Sequence, residues 1–119
     1  MPKTLTILFR TGSMMAMDAN VAVKIAKAAL DKGYGVHLFG YGEGVTAVKK
    51  GQRPKRFPNV GDELREIQSC GATTAVCETC FAARGFERGE EIEGAKVGSL
   101  TNDLFKFVSE SDRFVTIAR

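Results

Sequence analysis

No stretch of this chain is apolar for long. The longest such run near the N-terminus, Leu5-Thr6-Ile7-Leu8-Phe9, is too short for a signal-peptide core and far short of the roughly 20 residues that cross a bilayer. Neither export nor membrane insertion is expected, and the expected location is cytoplasmic. Metal ligands are also scarce, with one histidine (His37) and three cysteines (Cys70, Cys77, Cys80). A complete metal site within one chain is therefore not expected. Three cysteines cannot all pair within a chain. In a reducing compartment their chemistry points to catalysis or shared metal binding rather than to structural disulfides. The sequence contains neither Gly-x-Gly-x-x-Gly nor Gly-Lys-Ser/Thr, so no nucleotide cofactor is expected. It has no internal repeat and no linker.

What is present reads as one ordinary globular domain, residues 1–119, with 44% hydrophobic and 26% charged residues. The net charge of +3 has one basic concentration, Lys49, Lys50, Arg53, Lys55 and Arg56, broken by Gly51 and Pro54. Only Phe57 adds an aromatic, so this segment reads as a solvated loop or a contact for an acidic protein, and nucleic-acid binding is not expected. Glu87, Glu90, Glu91 and Glu93 read as a second solvated loop.

Residues 4–9 are apolar without alternation, as in a strand covered on both faces of a parallel sheet. Asp18 can cap a helix whose inward positions would be Val21, Ala22, Ile25, Ala28, Ala29 and Leu30, ending at Gly33. A strand over 35–39 follows, then a glycine turn at Gly40, Gly42 and Gly44 and a short helical segment over 45–49. Asp62 or Gly61 can open a helix with Val60, Leu64 and Ile67 facing inward and Gly71 as its stop. Residues 73–76 form a third strand and 78–84 a helix. Residues 95–99 are a short strand, 101–110 a helix with Leu104, Phe105 and Val108 on one face, and 114–118 the last strand. This alternation predicts an α/β fold, a mostly parallel five-stranded sheet with helices on both faces. The carboxyl ends of its strands would gather residues 10–13, 40–44 and Cys77.

Cys77 falls where strand passes to helix, and unpaired amide hydrogens at a helix start favour a thiolate able to attack sulfur. Glu78 opposes this, and Arg84, seven residues on, is too far along the helix to be an obvious counter-ion. A cysteine at a strand end can equally be simple apolar packing. Cys80 completes Cys-Glu-Thr-Cys, which can be a redox pair, half of a zinc or iron-sulfur site, a resolving thiol beside a sulfur carrier, or an ordinary helix residue. Cys70 could approach them in space. Thr11, Gly12 and Ser13, between the first strand and helix, could hold an anion or a polar substrate group through their amides. His37 reads as packed in or beside the sheet. Met14, Met15 and Met17 read as a subunit interface.

Val76-Cys77, Ala82-Ala83-Arg84-Gly85 and Ser111-Asp112-Arg113-Phe114-Val115 together resemble the DsrE/DsrF/TusD-like family of sulfur-relay proteins. The likeness extends to Thr11-Gly12 and the long helix after it, and is most specific from Cys77 to Gly85. It implies a three-layer α/β/α sandwich, assembled as a homo- or hetero-oligomer, often a trimer or hexamer. Cys77 matches the family's sulfur-carrying position. There it would take a sulfane sulfur as a persulfide from a donor protein and pass it to an acceptor protein, a sulfurtransferase role that needs no cofactor and serves tRNA thiolation or dissimilatory sulfur metabolism. Cys70, Cys80 and the 49–56 loop have no counterpart in the family pattern, and some members lack the cysteine and only support a partner subunit. If Cys80 reaches Cys77, a persulfide there would be released as sulfide. Two other readings stand beside the carrier: a non-catalytic oligomeric module, and a cysteine-bound metal or redox centre.

Overall fold

The computed structural model describes residues 3–12 and 16–117. Five strands, β1 (Thr4–Phe9), β2 (Gly35–Gly40), β3 (Thr73–Cys77), β4 (Lys96–Gly98) and β5 (Arg113–Ile117), form one sheet in the order β4-β3-β2-β1-β5. Every pairing is parallel. The continuous apolar character of β1 to β3 has this cause: Ile7, Phe9, Val36, Leu38, Phe39, Ala75 and Val76 are all buried.

The helices are α1 (Asp18–Asp31), α2 (Val60–Ser69), α3 (Glu78–Ala83) and α4 (Phe105–Glu110), with a 3-10 segment at Gly42–Val48 and one π-helical turn at Leu100–Leu104. The chain steps from β1 through β4 in one direction across the sheet and then returns to the far edge for β5. Right-handed crossovers therefore put α1, α2 and α3 on one face and α4 on the other, completing three layers. On the α4 side, Phe107 stacks flat on His37 of β2, with ring centroids 4.3 Å apart and planes within 1°. Thr6 Oγ1 of β1 also donates to the Phe107 carbonyl at 3.2 Å. His37 is thus packing against the sheet, and burial pushes its imidazole pKa below the ordinary value.

Several sequence expectations are corrected. In α1 the inward face is Ala19, Ala22, Val23, Ala26 and Ala29, whereas Val21 and Ile25 are exposed. Small residues let this helix lie close to the sheet, so the larger side chains are turned outward. Met17, with φ 63°, is the N-cap of α1, and Asp18 is its first helical residue. Asn59 rather than Asp62 or Gly61 caps α2: its Oδ1 accepts the Asp62 N–H at 3.0 Å. In α4 it is Phe107 that is buried, while Phe105 is 71% exposed and Val108 also faces outward. A π turn holds one residue more than an α turn, so a 3.6-residue period carried through it loses phase.

The basic and acidic loops are not separate solvated segments but partners. Lys50 N–H donates to the Glu90 carbonyl at 2.8 Å, Ile92 N–H donates to the Val48 carbonyl at 2.7 Å, and Lys49 Nζ lies 3.8 Å from Glu90 Oε1. At least part of the basic charge has its acidic partner inside the chain.

Candidate functional site: a cysteine crevice at the switch point of the sheet

β3 and β4 are neighbours, yet the chain leaves β3 toward α3 on one face and leaves β4 toward α4 on the other. Adjacent strands whose outgoing connections diverge open a crevice at their carboxyl ends, which is where open α/β sheets bind ligands. Here the crevice is a cavity of about 380 Å3 lined by Cys77, Glu78, Thr79 and Cys80 from β3 and α3, by Gly98, Ser99, Leu100 and Thr101 after β4, and by Tyr41.

Cys77 is both the last residue of β3 and the N-cap of α3, and its side chain is only 5% exposed. Its Sγ accepts the Cys80 N–H at 3.5 Å, so a sulfur takes the place that Ser or Asp usually fills at a helix start. Cys80, half-buried, follows one turn later and its thiol faces the Cys77 sulfur. Burial is the main cause that pushes the Cys80 thiol pKa up. The Gly42 N–H opposes this, Cys77 adds to it, and the nearby Arg84 charge works against it. Gly42, whose N–H reaches the thiol, has φ 60°, a backbone state that glycine adopts without cost.

Arg84 is not remote from the sulfurs. Its guanidinium folds back along α3, donating from Nη1 to the Cys80 carbonyl at 2.9 Å and from Nε to Glu43 Oε1 at 2.9 Å. That hydrogen bond holds the Glu43 carboxyl below the usual carboxylate range. Glu78, expected to repel a thiolate, is itself paired with Arg88 at 2.6 Å.

Sequence reasoning passed over Glu43 and Asp103. Asp103 is buried below the crevice, where its Oδ2 accepts the Ser99 N–H at 2.8 Å and its Oδ1 meets Lys96 Nζ at 2.7 Å. The carboxylate lies so close to Gly98 that a Cβ there would collide with it. Ser99 Oγ in turn accepts the Asn102 N–H at 2.9 Å, and a serine just ahead of a helical stretch was the signal available in the sequence.

The remaining candidates that are described do not line the crevice. Gly12 is buried against Thr46 of the 3-10 segment rather than lining the crevice, and Thr11 Oγ1 is buried without a hydrogen-bond partner among the described residues. Ser13, Met14 and Met15 lie outside the described residues. Cys70 caps the C-terminal end of α2 and is exposed at the opposite end of β3, about 13 Å of strand from Cys77. It does not join Cys77 and Cys80. Among the described residues no three His, Cys, Asp or Glu side chains converge in a way that would hold a metal ion. No helix among them is long and apolar enough to cross a membrane.

A parallel α/β sandwich with a thiol at the end of its third strand defines the class. Residues 3–117 match the DsrE/DsrF-like family, and the chain belongs to that family. It is similar to MJ0989 of Methanocaldococcus jannaschii, 40% identical over 95 residues, a match spanning 80% of this chain and 82% of that protein. YchN of Escherichia coli is 26% identical over 96 residues, 81% of this chain and 78% of its own. The crystal structure of YchN superimposes with a TM-score of 0.89 over 98% of this chain and 100% of that one. The likeness in fold thus extends over almost the whole molecule.

Proposed function

We propose that this protein is a sulfur-relay protein, carrying a sulfane sulfur as a persulfide on Cys77 and handing it from a donor protein to an acceptor protein. The observation that carries the reading is the position of Cys77: its sulfur accepts an amide hydrogen at the start of α3 and forms part of the crevice wall where β3 and β4 diverge. Family membership supports the same class of role. In the loading step the Cys77 sulfur attacks the outer sulfur of a donor persulfide, R–S–SH. The new bond is Cys77 Sγ–S, the bond broken is the donor's S–S, and R–S⁻ leaves. The transferred sulfur then stands about 2 Å beyond the buried Sγ, in the cavity and within reach of an acceptor thiolate. Three free thiols suit a reducing, cytoplasmic setting.

The test is intact-protein mass spectrometry after anaerobic exposure to glutathione persulfide. A gain of about 32 Da in Cys80→Ser that is lost in Cys77→Ser/Cys80→Ser establishes the carrier. Equal uptake by both overturns it.

The reading includes self-association. β5 is an edge strand exposed from Arg113 to Thr116, and Phe105, Val108, Phe114 and Val115 are exposed around it. An apolar edge of this kind favours burial against another subunit over exposure to water.

A further inference from the structure

We infer that the persulfide on Cys77 has a second fate inside the same protein: Cys80 discharges it as hydrosulfide, making the chain a single-turnover persulfide reductase as well as a carrier. The inference rests on the carrier reading and deepens it.

Three observations bring the reaction together. Cys77 is the N-cap of α3 and Cys80 lies three residues later, so by the rise and radius of a helix their Cα atoms are about 5 Å apart. That spacing falls inside the range a disulfide spans without backbone movement, about 4.4–6.8 Å. Both sulfurs are free thiols and both residues line one cavity, so the nucleophile and its target share a compartment that has room for the departing sulfur. The Cys80 N–H already bonds the Cys77 sulfur at 3.5 Å, which fixes the first turn of the helix with Cys80 facing the inner sulfur of any persulfide formed there.

The chemistry balances without an outside reagent. Cys80 Sγ attacks Cys77 Sγ, the Cys77–Cys80 disulfide forms, the bond from Cys77 Sγ to the sulfane sulfur breaks, and the Cys80 proton leaves with that sulfur as HS⁻. Two electrons pass from the cysteine pair to the sulfane sulfur: Cys77–S–S⁻ plus Cys80–SH gives Cys77–S–S–Cys80 plus HS⁻. A competing acceptor thiolate must instead attack the outer sulfur, so the two fates are separated by which sulfur is struck. Arg84, anchored on the Cys80 carbonyl, lies close enough for its charge to act on both sulfurs. Burial keeps Cys80 mostly protonated near neutrality, which gives the loaded form time to meet an acceptor before it discharges.

To test this, the wild type and Cys80→Ser are loaded anaerobically with glutathione persulfide and freed of small molecules by gel filtration. Intact mass and free sulfide are then followed with time. The wild type should lose its added 32 Da or so, release sulfide in equal amount, and end about 2 Da below the reduced protein, with a Cys77–Cys80 disulfide found by peptide mapping. Cys80→Ser should keep its sulfur over the same period. A wild type that retains its sulfur without forming the disulfide, or a Cys80→Ser protein that releases sulfide equally fast, overturns the inference while leaving the carrier intact. Failure of Cys80→Ser to take up sulfur at Cys77 overturns both. The disulfide in the unmutated protein gives a readout that does not depend on how well the variant folds.

Discussion

Arg84 and Glu43 stand 41 positions apart in sequence, yet the guanidinium of one is bound to the carboxylate of the other at the lip of the cysteine crevice. The contact ties the last turn of α3 to the 3-10 segment and keeps a positive charge beside the two sulfurs.

Removing that charge should change reactivity rather than folding. Arg84→Gln takes away the cation that favours the Cys80 thiolate, so iodoacetamide should alkylate Cys80 severalfold more slowly at neutral pH. Arg84→Lys should recover part of the rate, because it restores the charge without the fork-shaped contact to Glu43. Thermal unfolding of Arg84→Gln should change little, since the Glu43 side of the pair is open to water. A large fall in Tm with unaltered alkylation would mean that Arg84 is structural only.

Cys80 should also show itself in a pH profile. In Cys77→Ser the contribution of Cys77 is gone but burial remains, with Arg84 from the same helix, the Gly42 amide and the Glu43 carboxylate as its polar surroundings. In the wild type, read by peptide mapping, alkylation of Cys80 should still be climbing at pH 9.0, the ordinary thiol value, and in Cys77→Ser the climb should begin at lower pH. Sulfide release from the loaded wild type should accelerate over the same range, because the attacking group is the Cys80 thiolate. A wild-type plateau below pH 9.0 would contradict both expectations.

Asp103 should contribute to acid stability. Burial opposes its ionisation, but the hydrogen bonds from Lys96 and the Ser99 amide, with the Lys96 charge, outweigh it and hold the carboxyl below 3.8. Its folded value is therefore below the unfolded one. The stabilisation is present above about pH 4 and is lost as pH falls through the lower folded value. Asp103→Ala should cost about 1–3 kcal/mol at pH 7 by leaving the Ser99 amide unpaired, and Asp103→Asn should flatten the acid limb of a denaturation curve.

The outward apolar residues give a fourth prediction. Phe105→Glu or Phe114→Glu should shift the species seen by light scattering toward monomer, without lowering the helix content seen by circular dichroism. A wild type that is already monomeric at all concentrations would remove the basis for self-association.

Much of the fold was legible because it follows from local pattern. The β-branched and apolar residues of β1 to β3, with no regular polar alternation, record a sheet covered on both faces, and the glycines at 33, 71 and 85 mark the helix ends through their positive φ. Helix faces were legible only in part. In α1 the alanines, not Val21 and Ile25, meet the sheet, because distance of approach decided the orientation and a count of apolar size does not encode it. Cys77 was legible as a strand-to-helix residue, and Cys80 by its spacing. Glu43, Arg84 as its partner, and Lys50 against Glu90 depend on contacts between distant segments, which no single window of sequence carries.

The π turn at Leu100–Leu104 has a consequence for chain length. Such a turn is the way a helix absorbs one surplus residue while the residues beyond it keep their heading. Removing Leu104, which leaves Asn102 and Asp103 in register with Ser99, should therefore yield an unbroken α-helix with Phe107 still lying on His37, a change the protein should survive. Removing a second residue ahead of Phe107 would leave no surplus to absorb it, turning the rest of α4 by about 100° and swinging Phe107 off the imidazole. Between Ser99 and Phe107 the chain has one residue to spare and no second.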